Sequence, residues 1–335
     1  MSAEIARDRS ALLAERLQSG IPLTERPYAC LASELGCDEE TVLTLANGLI
    51  RDGYVRSFGA FVDFGRLGYE GLLCGFIVPE EQLPRVVSRL DGREVTHNYI
   101  RAHRVNLWLT ALLKRAEKHL FMDRARSCGV PFVALAAIKR LKLRPVFSFN
   151  PVCGLELSEP EPENFCCFSA GQDEEAPAVL SDTAAAALAA LQNDFPVTQK
   201  PFEPAAQAIG INVAELLELL KELKAARVLR RIGVSLHHTR IGYSANALAA
   251  WLTEDASSGA ASFPWVSHCY IRDVVENTLP FKWPYTLYTM LHAPDEASLA
   301  IRLKTMRDAI SPQDSVVLPT VKELKKTRPV IKPFI

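Results

Sequence analysis

The chain has 335 residues, with 38 Lys and Arg against 39 Asp and Glu, a net charge of −1 and 48% apolar residues. That balance argues against a whole-chain polyanion binder and against global disorder, and the length suits two domains. The longest apolar stretches, Gly71–Val78 and Tyr243–Leu252, fall far short of the ~20 residues that span a bilayer.

Residues Met1–Ser10 carry both charge signs and no apolar run, so no secretory signal is read and a cytoplasmic location is expected. The first part of the half reads as short helices, with a helix start at Asp38-Glu39-Glu40 followed by Val42, Leu45 and Leu49 at helical spacing. A turn then leads into Val55–Val62, which reads as a β-wing. Helix, turn, helix and wing form the winged helix-turn-helix pattern. Next come an apolar strand at Gly71–Val78, an amphipathic helix at Glu80–Leu90, and strands at Val95–Ile100 and Asn106–Leu112. A helix at Glu117–Cys128 and a strand at Phe132–Ile138 complete a β-α-β-β-α-β series, the ferredoxin-like unit. The stretch Pro151–Pro177 contains Glu-Pro-Glu-Pro-Glu and reads as an acidic linker.

The same order then repeats. Pro22-Leu23-Thr24-Glu25-Arg26-Pro27-Tyr28 matches Pro196-Val197-Thr198-Gln199-Lys200-Pro201-Phe202, and the same offset pairs Arg56 with Arg230 and Gly59 with Gly233. Val213, Leu217, Leu220 and Leu223 mark the second helix, and Val228–Leu236 the second wing. Ser244–Leu252, Trp265–Ile271, Thr286–Leu291, Glu296–Ala309 and Val316–Val321 continue the series, with its first helix shrunken and an insert at Asp273–Pro284. The expected fold is α+β, a tandem duplication of a winged helix-turn-helix plus a ferredoxin-like unit. The first half spans 15–150 (winged helix 15–66, ferredoxin-like 67–150), the linker 151–180, and the second half 181–335 (winged helix 181–240, ferredoxin-like 241–335). A folded monomer holding an internal pseudo-dimer is the expected minimal unit.

A winged helix suggests DNA reading, but the candidate recognition helices open Asp38-Glu39-Glu40 and Asn212-Val213-Ala214-Glu215. Carboxylates there would face phosphates and weaken binding, so no nucleic-acid partner is expected. The eight cysteines contain no CxxC. Cys153, Cys166 and Cys167 fit no metal-site spacing, and no metal site is expected.

The dense chemistry lies at His97-Asn98-Tyr99-Ile100-Arg101-Ala102-His103 with Asn106-Leu107-Trp108, and at His268-Cys269-Tyr270-Ile271-Arg272. The second motif is followed by Lys282-Trp283-Pro284-Tyr285-Thr286 and by Leu287-Tyr288-Thr289-Met290-Leu291-His292. On an extended strand, alternate residues share a face. Each copy therefore offers an imidazole, a phenol and a guanidinium together, suited to a flat substrate bearing several carboxylates. Ordinary structural roles are the competing reading: core for Trp108, strand-end structure for His292, and surface for His237-His238.

These motifs resemble those of the siroheme decarboxylases, Lrp/AsnC-like proteins of haem d1 and alternative haem biosynthesis. The first is similar to that family's HNYxRxHxxNLW stretch and the second to HCYxR followed by WPYNLYTMIH, with Thr286 in place of Asn and a longer insert. The resemblance implies a carboxy-lyase that removes CO2 from the C12 and C18 acetates of siroheme to give 12,18-didecarboxysiroheme. It implies no organic cofactor, since the iron arrives with the substrate. His97, His103 and His268 are the candidate proton donors, with iron ligation the other role open to a histidine. Arg101, Arg272 and Lys282, and more weakly Arg56, Arg230 and Arg231, would hold carboxylates. Tyr99, Trp108, Tyr270, Trp283 and Tyr285 would line the macrocycle pocket. The first half is favoured as active because it carries His97 and His103 together. A transcription regulator and a non-catalytic tetrapyrrole-binding protein are the alternatives.

Overall fold

Three helices and one strand open each half. The computed structural model describes residues 2–143, 147, 176–254 and 259–331, with side chains from residue 9 onward. In the first half α1 (Ser2–Ser19), α2 (Pro27–Leu35) and α3 (Glu39–Arg51) precede β1 (Val55–Val62). In the second, α6 (Asp182–Leu191), α7 (Glu203–Ala208) and α8 (Val213–Ala225) precede β6 (Leu229–Leu236). The acidic helix starts are caps. Asp38 accepts from the Thr41 N–H at 2.7 Å, and that bond holds its carboxyl below the usual range. Asn212 and Glu215 form a capping box on α8.

Neither wing is a hairpin. β1 pairs antiparallel with β6, placing Phe58 opposite Val234 and Gly59 opposite Gly233. Each half thus supplies one strand, and each satisfies the other's backbone groups. Phe58, Ala60, Ile232 and Val234 enter one apolar core with Leu13, Leu17, Leu188 and Leu191. A Cβ on Gly233 would collide with the Leu17 carbonyl oxygen. The turn from α1 can therefore cross the second half's strand only over a glycine.

The rest of the first half is β2 (Tyr69–Phe76), α4 (Leu83–Leu90), β3 (Val95–Arg101), β4 (Leu107–Lys114), α5 (Lys118–Arg126) and β5 (Phe132–Leu143). The second half gives β7 (Ala245–Leu252), β8 (Val266–Asn277), β9 (Leu287–Ala293), α9 (Glu296–Ile310) and β10 (Asp314–Lys326). A single 3-10 turn, Gly259–Ala261, stands where the first half has α4. Among the described residues, eight strands close into one antiparallel barrel in the order β10-β3-β4-β2-β5-β8-β9-β7. β5 and β10 run longer than the sequence suggested because each leaves its own sheet to pair with the other half, β5 on β8 and β10 on β3. The start of the insert continues β8, with Asn277 opposite Val133. Closure leaves no sheet edge.

Side chains alternate across this wall. Leu107, Leu109 and Ala111 face α5 residues Phe121 and Met122, and Ala247, Ala249 and Trp251 face α9 residues Leu299 and Met306. Leu73, Trp108, Val133, Leu135, Leu248, Tyr288 and Leu318 face the interior. No helix among the described residues is long and apolar enough to cross a membrane.

Candidate active site

Register sets the direction of the two motifs. His97 pairs with Thr110 and Tyr99 with Trp108, while His268 pairs with Met290 and Tyr270 with Tyr288. Paired residues lie on the same side of a sheet, so both sets turn to the barrel interior with Trp108 and Tyr288. The two copies meet there, where the charge of one motif histidine acts on the other. Within each copy the rings are neighbours, with centroids 6.3 Å apart for His97 and Tyr99 and 6.5 Å for His268 and Tyr270. The guanidiniums follow, Arg101 at 5.2 Å from the Tyr99 ring and Arg272 at 4.9 Å from that of Tyr270.

The arginines are buried cations with no anion paired to them among the described residues. Arg101 is 5% exposed and Arg272 8%. Arg101 Nη1 donates to the Leu318 carbonyl at 2.7 Å and to Thr320 Oγ1 at 3.0 Å, and Arg272 Nη1 donates to the Leu135 carbonyl at 3.3 Å. Both Nε atoms are buried without a hydrogen-bond partner among the described residues. Burial pulls Arg101 down to about 10 and also lowers Arg272, and no carboxylate counters it at either. An uncompensated buried charge is costly, so an entering carboxylate gains from both.

A bulge sets a hydroxyl beside each histidine. Register shifts fall at Thr96 and at Ser267. His97 Nδ1 lies 2.9 Å from Thr96 Oγ1, which donates to the Thr110 carbonyl at 3.2 Å. His268 Nδ1 lies 2.8 Å from Ser267 Oγ, which donates to the Met290 carbonyl at 3.3 Å and also lies 3.0 Å from His292 Nε2. Burial, then Lys326 and Arg56, pushes His97 down to about 4. Burial, then His97, Lys326, Arg230 and Arg272, pushes His268 to about 3. Both imidazoles are neutral near pH 7.

Two more bulges re-aim arginines from the wing strands. Arg56 and Arg230 sit at register shifts in β1 and β6. Arg56 donates to the Lys326 carbonyl, and Arg230 to that of Leu143 at 3.0 Å. Lys326 and Leu143 are themselves the strand partners of His97 and His268. The neighbouring Arg231 turns elsewhere, its guanidinium 3.9 Å from the Phe61 ring.

Other candidates lie apart from this cluster. His103 belongs to the β3–β4 loop, at the far end of β3 from His97. Its Nδ1 accepts from the Val105 N–H at 3.0 Å, and its ring lies beside Trp283. The proximity of His97 and His103, which favoured the first half, is therefore not present. Trp108 donates to the Val105 carbonyl and Trp283 to Tyr288 Oη, both at 2.8 Å, and their rings are 5.5 Å apart. The Tyr285 hydroxyl is taken up by Asp314 at 2.8 Å. These aromatics plug the barrel on the loop side, and Lys282 is exposed on that loop. Cys153, Cys166 and Cys167 lie outside the described residues.

Three groups in the cluster were missed. Lys326 is pushed down to about 8, by burial first and then by Arg56, against Glu323. His292 is 6% exposed and bonded into the network. His238, read as surface, is half-buried with its ring 5.0 Å from that of His292. The shared signal was available for His292, which stands inside a quoted motif. Nothing local marked Lys326, whose role comes from pairing with a strand of the other half.

Comparison with known proteins fits this architecture. A family model described as the siroheme decarboxylase NirDL-like HTH domain matches residues 11–56 and again 185–230, and one described as the AsnC-like ligand binding domain matches 240–325. The siroheme decarboxylase of Hydrogenobacter thermophilus is 29% identical over 93% of this chain and 91% of its own length. The alpha subunit of the Desulfovibrio desulfuricans enzyme is 36% identical over 41% of this chain and 82% of its own. The beta subunit from Oleidesulfovibrio alaskensis is 35% identical over 44% of this chain and 94% of its own. The chain belongs to the siroheme decarboxylase family. Among solved structures, that of the siroheme decarboxylase NirDL in complex with an iron-uroporphyrin III analogue is similar, with TM-score 0.69 and 26% identity, covering 97% of this chain and 94% of that one. The separate alpha and beta subunits of other family members each match about half of this chain, in keeping with its two-copy barrel.

Proposed function

We propose that this chain is a siroheme decarboxylase that removes CO2 from the C12 and C18 acetates, giving 12,18-didecarboxysiroheme, and that its barrel interior is the active site. The observation that carries this is the pair Arg101 and Arg272, buried without anions in an interior that also holds His97 and His268. Family membership supplies the reaction, and the arginines supply the reason a polycarboxylated macrocycle binds.

The chemistry needs little else from the protein. An acetate leaves as CO2 when the macrocycle it is attached to can take up the electron pair of the breaking carbon–carbon bond. The carbon left behind then takes one proton and becomes a methyl group. The macrocycle supplies the electron sink, so no organic cofactor is required. Arg101 and Arg272 hold carboxylates, with Arg56, Arg230 and Lys326 extending the cationic rim. His97 and His268 supply protons. Tyr99 and Tyr270 flank the ring system. A dry interior strengthens each of these interactions.

The test is anaerobic incubation with siroheme and mass spectrometry of the extracted tetrapyrrole. Loss of two CO2 units per macrocycle is expected. Tight binding without mass change would favour a carrier or a regulator.

A further inference from the structure

The two copies differ behind their histidines. In the first, the Thr96 hydroxyl beside His97 ends on the Thr110 carbonyl. In the second, Ser267 also touches His292. The barrel position equivalent to His292 is Leu112 in the first copy, two residues beyond Thr110 as His292 is two beyond Met290. His292 is buried, its Nδ1 has no hydrogen-bond partner among the described residues, and its ring packs edge-on against His238. A hydrogen-bonded series thus runs from His292 Nε2 through Ser267 Oγ to His268 Nδ1, at 3.0 and 2.8 Å.

We propose that His292 and Ser267 form a proton relay that reloads His268, and that His268 is the group that protonates the reacting carbon. The inference rests on the decarboxylase reading. As the carbon–carbon bond breaks and CO2 leaves, the electron pair stays on the substrate carbon, which takes the proton of His268 Nε2. The Ser267 hydroxyl proton passes to His268 Nδ1, and the His292 Nε2 proton passes to Ser267. A solvent proton, arriving at Nδ1 from the side where His238 packs, restores His292. The Met290 carbonyl gives the Ser267 hydroxyl an alternative acceptor as it turns. His268 exchanges one tautomer for the other and stays neutral throughout. That suits its surroundings: His97 on β3, Lys326 on β10, Arg230 on β6 and Arg272 on its own strand all disfavour an imidazolium. His292 likewise faces His238, His268, Lys326 and Arg302, with no carboxylate acting on either. One proton is consumed per CO2; before a second transfer the series runs back, His268 Nε2 taking a solvent proton as its Nδ1 proton returns through Ser267 to His292 Nε2 and His292 Nδ1 releases one.

Ser267 and His292 are positioning residues here, and the test separates that role from a structural one. Ser267→Ala, Ser267→Thr and His292→Gln are compared with wild type for siroheme affinity by anaerobic absorbance titration, and for turnover by product mass between pH 6 and 8. Ser267→Ala and His292→Gln are expected to bind siroheme within about threefold of wild type and to turn over at least about tenfold more slowly. Ser267→Thr, the residue type of the first copy, restores most of the turnover. Wild-type turnover in Ser267→Ala or His292→Gln overturns the relay, as does a defect confined to affinity. His292→Gln keeps the test decisive if Ser267→Ala fails to fold. A wild-type chain that leaves siroheme unchanged in mass overturns the decarboxylase reading itself, and the relay with it.

Discussion

Arg101 and Arg272 are held by each other's halves: Arg101 by the Leu318 carbonyl of β10, and Arg272 by the Leu135 carbonyl of β5. On the proposed reading, neither half builds its own carboxylate clamp. The long fourth strand of each half carries the carbonyl that fixes the other's guanidinium.

Replacing these arginines should separate binding from stability. Arg101→Met or Arg272→Met removes a buried charge that has no counter-ion, so the substrate-free melting temperature should hold or rise. Siroheme affinity should fall about tenfold or more for each, since a hydrogen bond to a charged group is worth ~1.5–3 kcal/mol. Thermal denaturation and absorbance titration check both. A lower melting temperature with unchanged affinity would mean the guanidiniums serve the fold.

Acid should destabilise the substrate-free protein early. His97 and His238 are held down to about 4 and His268 to about 3, all chiefly by burial. Unfolded, these imidazoles protonate near pH 6.5. Between pH 6.5 and about 4 the unfolded chain therefore binds more protons, and stability drops as pH falls through that window. Melting temperatures from pH 7.5 to 4.5 at fixed ionic strength should decline, with a shallower slope in His238→Gln. A flat profile would show that these histidines are accessible.

Lys326→Leu copies the counterpart residue Leu143. Lys326 is a cation that lowers His97. Its removal should raise the His97 titration midpoint, read by NMR of the imidazole, and weaken siroheme binding severalfold. An unmoved midpoint would place Lys326 outside the cluster.

Gly233→Ala should loosen the joint between the halves. The added Cβ meets the Leu17 backbone carbonyl, which cannot swing aside as a side chain would. Overpacking of this kind costs ~1–3 kcal/mol, read as a lower urea midpoint. A midpoint equal to wild type would show that the α1 turn shifts without cost.

The order of elements and the two motif strands were legible because helical and alternating periodicities are local, and the repeat gave each reading a second copy. What escaped was set by pairing between halves. Each wing strand read as a β-wing of its own half, because one strand of a two-stranded sheet carries no mark of its partner. Lys326 joined the cluster only through the register of β10 on β3. His103, close to His97 in sequence, is carried away by the extended strand between them. The tryptophans had been placed around the ligand on composition, whereas their N–H groups are bonded within the plug.

The most direct test of a site shared by both halves is the stoichiometry of siroheme at saturation, by anaerobic titration of the intact chain. One siroheme per chain is expected, with binding weakened by either Arg101→Met or Arg272→Met. Two sirohemes per chain, each lost with only one of the arginines, would contradict it.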